Sequence, residues 1–128
     1  MKVVSDWASA NGFVSTYGMS RPGENYTSAY DCALFIRKAE NGELPHFSDI
    51  ISLLKQQQFT HKIPSGLPEG VVSGNKTGEL DTTQNDAAIV YAPAGTYEIA
   101  VLSDNVDSDA AIARIRDISS LVYHYLNG

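Results

Sequence analysis

The chain of 128 residues holds one cysteine, Cys32, and one tryptophan, Trp7. A single cysteine excludes an internal disulfide, and Cys32 reads as a small residue on a helix. No apolar run approaches the roughly 20 residues that a membrane-spanning helix needs. Basic residues are scarce: 9 Lys and Arg stand against 15 Asp and Glu, a net charge of −6. That balance argues against nucleic-acid binding, which needs a basic patch to neutralise phosphates. His46, His61 and His124 lie far apart, without the paired spacing of a zinc site, and read as surface residues. Met1 to Trp7 has no continuous apolar stretch after its charge, so it is not expected to be a signal peptide. What the chain does have is 43% hydrophobic residues, enough for a packed core in one domain or a piece of one.

The first part of the chain carries helical patterning. Val3 to Asn11 places Val3, Val4, Trp7 and Ala8 on one stripe, and Asn11-Gly12 stops it. Phe13 to Tyr26 shows no period and reads as a loop. Thr27 or Ser28 is expected to cap a second helix, with Asp31 reinforcing its first turn. Ala29, Cys32, Ala33, Ile36 and Ala39 form its predicted buried face, and Asn41-Gly42 ends it. Ser48 is expected to cap a third helix, from Asp49 to about Gln57. Phe59 to Gly70 is a Pro- and Gly-rich connector.

The remainder changes period. Val71 to Thr77, Asn85 to Ala92 and Thr96 to Ser103 read as strands, with a turn at Pro93-Ala94-Gly95. Short connections between consecutive strands predict an antiparallel meander. Asp107 or Ser108 caps a final helix to about Leu126, whose core stripe is expected to be Ala111, Ile115, Ile118, Val122 and Tyr125. The fold class is α+β: N-terminal helices, then three antiparallel strands covered by a C-terminal helix. One partial domain over 1–128 is expected, with a helical segment at 1–60 and a strand-strand-strand-helix segment at 71–128.

The stretch with chemical character is Val71-Val72-Ser73-Gly74-Asn75-Lys76-Thr77-Gly78-Glu79-Leu80. A lysine, a hydroxyl and a glycine in succession on a strand can line a ligand site, since glycine permits close approach to the backbone. It is not a phosphate-binding loop, because Asn75 separates Gly74 from Lys76 and a strand follows instead of a helix. Asp104, Asp107 and Asp109 lack the glycine and closing glutamate of a calcium loop, and a helix N-terminus explains them. No cofactor and no metal are called for.

Lys76-Thr77-Gly78-Glu79-Leu80, then Asn85-Asp86-Ala87-Ala88-Ile89-Val90, then a hairpin into Tyr97 to Leu102 and a final helix, resembles class A β-lactamases and the D-alanyl-D-alanine carboxypeptidase-like penicillin-binding serine hydrolases. Glu24-Asn25-Tyr26-Thr27-Ser28, the helix with Asp31, and Asn41-Gly42-Glu43-Leu44 look like the segment that precedes Lys-Thr-Gly in that family. The resemblance spans nearly the whole chain but only the C-terminal part of the family domain. It implies acyl transfer through a serine ester, using a Ser-x-x-Lys nucleophile, a Ser-Asp-Asn wall and Lys-Thr-Gly. Lys76 would supply a fixed positive charge in catalysis, and Thr77 a hydroxyl to the substrate carboxylate. Gly78 would let the substrate approach, and the Glu79 N–H would join an oxyanion hole. The implied ligands are β-lactams or D-Ala-D-Ala peptides, and the implied setting of the parent protein is extracytoplasmic.

The rest of that machinery is not legible here. Ser52-Leu53-Leu54-Lys55 has Ser-x-x-Lys spacing but falls inside the third helix. Ser73-Gly74-Asn75-Lys76 re-uses the strand lysine. Ser103-Asp104-Asn105 follows Lys-Thr-Gly where the family's motif precedes it. No nucleophile is therefore assigned within the chain. Glu24 lies too near the next helix for the family's deacylating role, which leans the parent towards the carboxypeptidase or penicillin-binding side. The expectation is a serine-hydrolase fragment inactive alone; the alternative is a non-catalytic partner-binding module or an inert remnant. Tyr97 to Leu102 is expected to be an unprotected edge through which copies associate.

Overall fold

The computed structural model describes residues 2–18 and 25–128. Helix α1 (Lys2–Ala10) leads to a two-residue ladder, β1 (Tyr17–Gly18) with β2 (Asn25–Tyr26). Helices α2 (Ala29–Glu40) and α3 (Phe47–Lys55) follow, then a 3-10 turn at Pro64–Gly66. Strands β3 (Val72–Leu80), β4 (Thr83–Ala92) and β5 (Gly95–Val101) form the antiparallel meander in the order β3-β4-β5. Helix α4 (Ser108–Asn127) closes the chain.

The sheet is the middle layer. Side chains alternate along a strand, so β4 sends Ala88 and Val90 to one face and Ile89 to the other. On the first face Ala88 and Val90 pack with Ile63, Ile99 and Ile115, so α4 and the connector cover it. Fully burying an isoleucine or valine is worth about 1.5–3 kcal/mol, and this cluster anchors the C-terminal half. On the second face lie α2 and α3, which share their own cluster of Ala39, Leu44 and Ile51. Close packing holds both covers. A Cβ on Gly66 would lie 2.3 Å from Arg116 O on α4, and one on Gly74 would lie 2.9 Å from Lys55 N at the end of α3.

Side-chain caps open α2 and α4. Ser28 accepts from Asp31 N, and Asp107 accepts from Ala110 N, so the acidic residues before α4 serve its N-terminus. Several expectations are corrected. The third helix starts at Phe47, not Asp49. Its N-cap is His46 in the left-handed region (φ 58°), with no side-chain cap bond, and Ser48 lies inside the helix. The loop from Phe13 to Tyr26 contains the β1–β2 ladder, whose Tyr17 and Tyr26 rings stack at 5.2 Å. Asp31 does more than favour a dipole: it is buried, and its Oδ2 accepts from Ser15 N (2.8 Å) and Thr16 Oγ1 (2.7 Å). The α4 stripe turns after Ile115, where the buried residue is Ser119, whose hydroxyl donates to Ile63 O at 2.7 Å. Ile118 and Tyr125 are exposed instead. Among the described residues no helix is long and apolar enough to cross a membrane. Glu24 lies outside the described residues.

Candidate active-site wall

Strand β3 carries the site, and its alternation splits the Lys-Thr-Gly residues between two faces. Lys76 pairs in register with Ala87, and Thr77 with Asp86. Gly74, Lys76 and Gly78 face α2 and α3; Asn75, Thr77 and Glu79 face the other way. Lys76 is exposed, and its Nζ donates back to Thr77 O. Thr77 is 4% exposed. The lysine and the threonine hydroxyl are thus not brought together on one face.

The backbone of β3 is the third component. Asn75 O accepts from Gln57 Nε2, and Thr77 O accepts from Lys76 Nζ. Both acceptances come from side chains, so these carbonyls point off the sheet. In a strand the N–H and C=O of one residue point the same way, and alternate residues share a direction. The Glu79 N–H is therefore directed to the outer edge of β3 as well.

On the α2 side, Lys76 and Gly78 line an open groove of about 520 Å³ with Trp7, Phe13, Phe35 and Leu54. Trp7 and Phe13 stack at 5.7 Å along it. Its lining is almost entirely apolar except for Asp31, Lys76 and their neighbours. Asp31 is 2% exposed, yet among the described residues its Oδ1 has no hydrogen-bond partner. A buried acceptor left unpaired on an apolar wall is costly and uncommon.

Behind Thr77 sits a polar cluster built from Lys62, Asn75, Asp86 and Glu79. Lys62 is fully buried, and its Nζ donates to Glu79 Oε1 at 2.6 Å and to Asn85 O at 3.1 Å. Asp86, 1% exposed, accepts from Ile63 N (2.9 Å) and Asn75 Nδ2 (3.0 Å). Burial pushes the Asp86 carboxyl above its ordinary range, against the pull of those two donors. The Glu79 carboxyl is held below its ordinary value, first by the hydrogen bond from Lys62, with the Thr77 hydroxyl and the Lys76 charge adding to it. Lys62 lies in a Pro-rich connector without periodicity, so no sequence signal marked it. Asn85-Asp86 did carry one: two strand-averse polar residues side by side inside a strand flag a satisfied polar cluster.

The candidate serines are placed elsewhere. Ser52 lies on α3 and accepts from Gln56 Nε2 at 3.0 Å, while Lys55 sits over the Tyr91 ring, 4.4 Å from its centroid. Neither is among the residues lining the groove. The Ser103 hydroxyl donates to Gln84 O at 2.5 Å, and its backbone N–H donates to Asn85 Oδ1 at 2.7 Å. It fastens the end of β5 to β4.

Lys76-Thr77-Gly78 thus lies on the edge strand of a three-stranded antiparallel sheet between helical layers. Residues 1–126 match the family described as the Beta-lactamase enzyme family, and the chain belongs to it. The β-lactamase from Sphaerobacter thermophilus DSM 20745 superposes with a TM-score of 0.88 at 26% identity, covering 98% of this chain and 53% of that one. PBP-A gives 0.81 at 24% identity, covering 94% and 49%. A class A β-lactamase from Bacteroides cellulosilyticus DSM 14838 gives 0.82 at 21% identity, covering 96% and 53%. The chain thus spans about half the length of these structures. No curated protein matches it.

Proposed function

We propose that this chain forms the Lys-Thr-Gly wall of a serine hydrolase that forms acyl-enzymes with β-lactams or D-Ala-D-Ala peptides, the nucleophile coming from outside residues 1–128. In this reading Lys76 provides the fixed positive charge, and Gly78 leaves room for the ligand. The outward Glu79 N–H contributes to an oxyanion hole, and Thr77 takes part in carboxylate recognition. An extracytoplasmic setting goes with that activity.

The observation that carries the reading is the open apolar groove beside Lys76 and Gly78, with Asp31 Oδ1, unpartnered among the described residues, on its wall. A surface of this kind calls for a further polypeptide segment that brings apolar side chains and a hydrogen-bond donor. The half-length match to relatives of the family supports the same conclusion.

Incubation of the purified chain with a fluorescent penicillin tests it. The expected result is reversible binding, weakened at least tenfold by Lys76→Ala, with no stoichiometric covalent adduct. A one-to-one adduct on the chain by itself overturns the external nucleophile, and Ser52 is then the first residue to map.

A second reading, self-association, is favoured by the sheet order. Among the described residues β5 pairs only with β4, so its outer edge, from Tyr97 onward, is open to another strand.

A further inference from the structure

Among the described residues β3 pairs only with β4, so its ladder is one-sided. Backbone held on one side alone opens more readily than backbone inside a sheet. The connector after α3 braces the other side of β3 with side chains. Gln57 Nε2 donates to Asn75 O at 3.4 Å, and Gln57 Oε1 accepts from Phe59 N at 3.2 Å. The brace ends at the residue directly before Lys76.

Asn75 and Asp86 complete it from within. Asn75 is opposite Ala88 and Thr77 is opposite Asp86, so the Asn75 and Asp86 side chains are diagonal neighbours on one face. Both are buried. The Asn75 amide uses both its N–H groups: Nδ2 donates to Phe59 O at 3.1 Å and to Asp86 Oδ1 at 3.0 Å. Those acceptors admit one orientation of the amide, because the reverse would set its oxygen against a carbonyl and a carboxylate. The other Asp86 oxygen accepts from Ile63 N at 2.9 Å. Asp86 therefore ties β4, which carries it, to the connector through Ile63 and to β3 through Asn75.

We propose that Asp86 is a positioning residue: acting through Asn75, it fixes the β3 backbone beside Lys76 and so sets where the lysine charge and the outward Glu79 N–H stand for a ligand. Its carboxylate lies on the Thr77 face of the sheet, opposite the face of Lys76, so it works through the backbone and not by touching the ligand. Only an acceptor-only group fits this place. An amide at position 86 could accept from Ile63 N or from Asn75 Nδ2, but its own N–H groups would then face the other donor. The assignment rests on the function proposed above in taking Lys76 to Glu79 as the ligand wall; the clamp itself stands on the geometry.

The test measures the Kd for a fluorescent penicillin on the whole chain, at a temperature where circular dichroism shows each variant folded. Asp86→Asn is expected to raise the Kd at least tenfold. Combining it with Asn75→Asp exchanges donor and acceptor between the two positions: the new amide accepts from Ile63 N and donates to the new carboxylate, and only Phe59 O loses its donor. Binding is expected to return to within a few fold of the native chain. If Asp86→Asn does not fold, Asn75→Ala cuts the link to β3 and is expected to show the same loss. A folded single variant that binds as the native chain does overturns the proposal, as does a folded double variant that binds no better than Asp86→Asn. If the native chain binds no penicillin, the acyl-transfer reading falls, and amide hydrogen exchange decides the clamp. The Lys76 and Gly78 N–H groups, directed at β4, should then exchange faster in Asp86→Asn and slow again in the double variant; unchanged exchange there refutes it.

Discussion

Glu79 and Asp86 lie on the same side of the sheet and respond to acid in opposite senses. Glu79 is held below its ordinary value of 4.5, chiefly by Lys62. Its folded state binds protons less readily than the unfolded chain, so its contribution is complete above the ordinary value and fades as pH falls through the folded value. Asp86 is pushed above 3.8 by burial, so its ionised form costs stability, and acid relieves that cost. The native chain is therefore expected to exceed Glu79→Gln in stability at pH 7, and the gap should close as pH falls towards 3. Urea unfolding across that range checks it; a gap independent of pH would mean that the Lys62 pair is not its source.

At the scale of elements, the position of β3 depends on two glycines with different duties. Gly74 is a packing residue: its Cα side abuts the end of α3, where a Cβ would lie 2.9 Å from Lys55 N and 3.0 Å from Leu54 C. Gly78 has no such neighbour, since the nearest atom to a Cβ there is Asn85 Cβ at 3.8 Å. Gly74→Ala is expected to cost about 1–3 kcal/mol, because helix backbone cannot yield as a flexible side-chain tip can. Gly78→Ala should leave the thermal midpoint nearly unchanged while weakening penicillin binding. Equal losses of stability in the two variants, measured by calorimetry, would remove the distinction.

At the scale of the whole molecule, two open surfaces lie on different sides of the fold. The apolar groove opens beside Lys76, and the free edge of β5 lies at the far side of the sheet order from β3. Tyr97 packs against the core cluster under α4, yet among the described residues its hydroxyl has no partner. On α4, Leu121 and Tyr125 are 71% and 88% exposed. Strand addition at β5 would cover the open ladder groups. Sedimentation at tens of micromolar is expected to show dimers, and Ala100→Pro, on β5, should shift them to monomers. A strictly monomeric native chain would refute edge pairing.

The order of the four helices and the three long strands was legible in the chain itself. Helix stops at Asn11-Gly12 and Asn41-Gly42, the Asp107 cap, and the alternation through β4 are local signals, and local backbone preferences obey them. So was the Lys76-Thr77-Gly78 stretch, because its residue types and neighbours occur together in sequence. What the residues near in sequence could not decide is which distant groups meet. Lys62 and Glu79 are 17 positions apart, and Asp31 reaches Ser15 across 16. Those contacts exist because the sheet, once twisted between α4 and the α2–α3 pair, leaves no water for a buried charge, and only a fixed partner can replace it. Strand alternation, a local property, already puts the Lys76 and Thr77 side chains on opposite faces; tertiary packing is what placed the Glu79 carboxylate on Lys62.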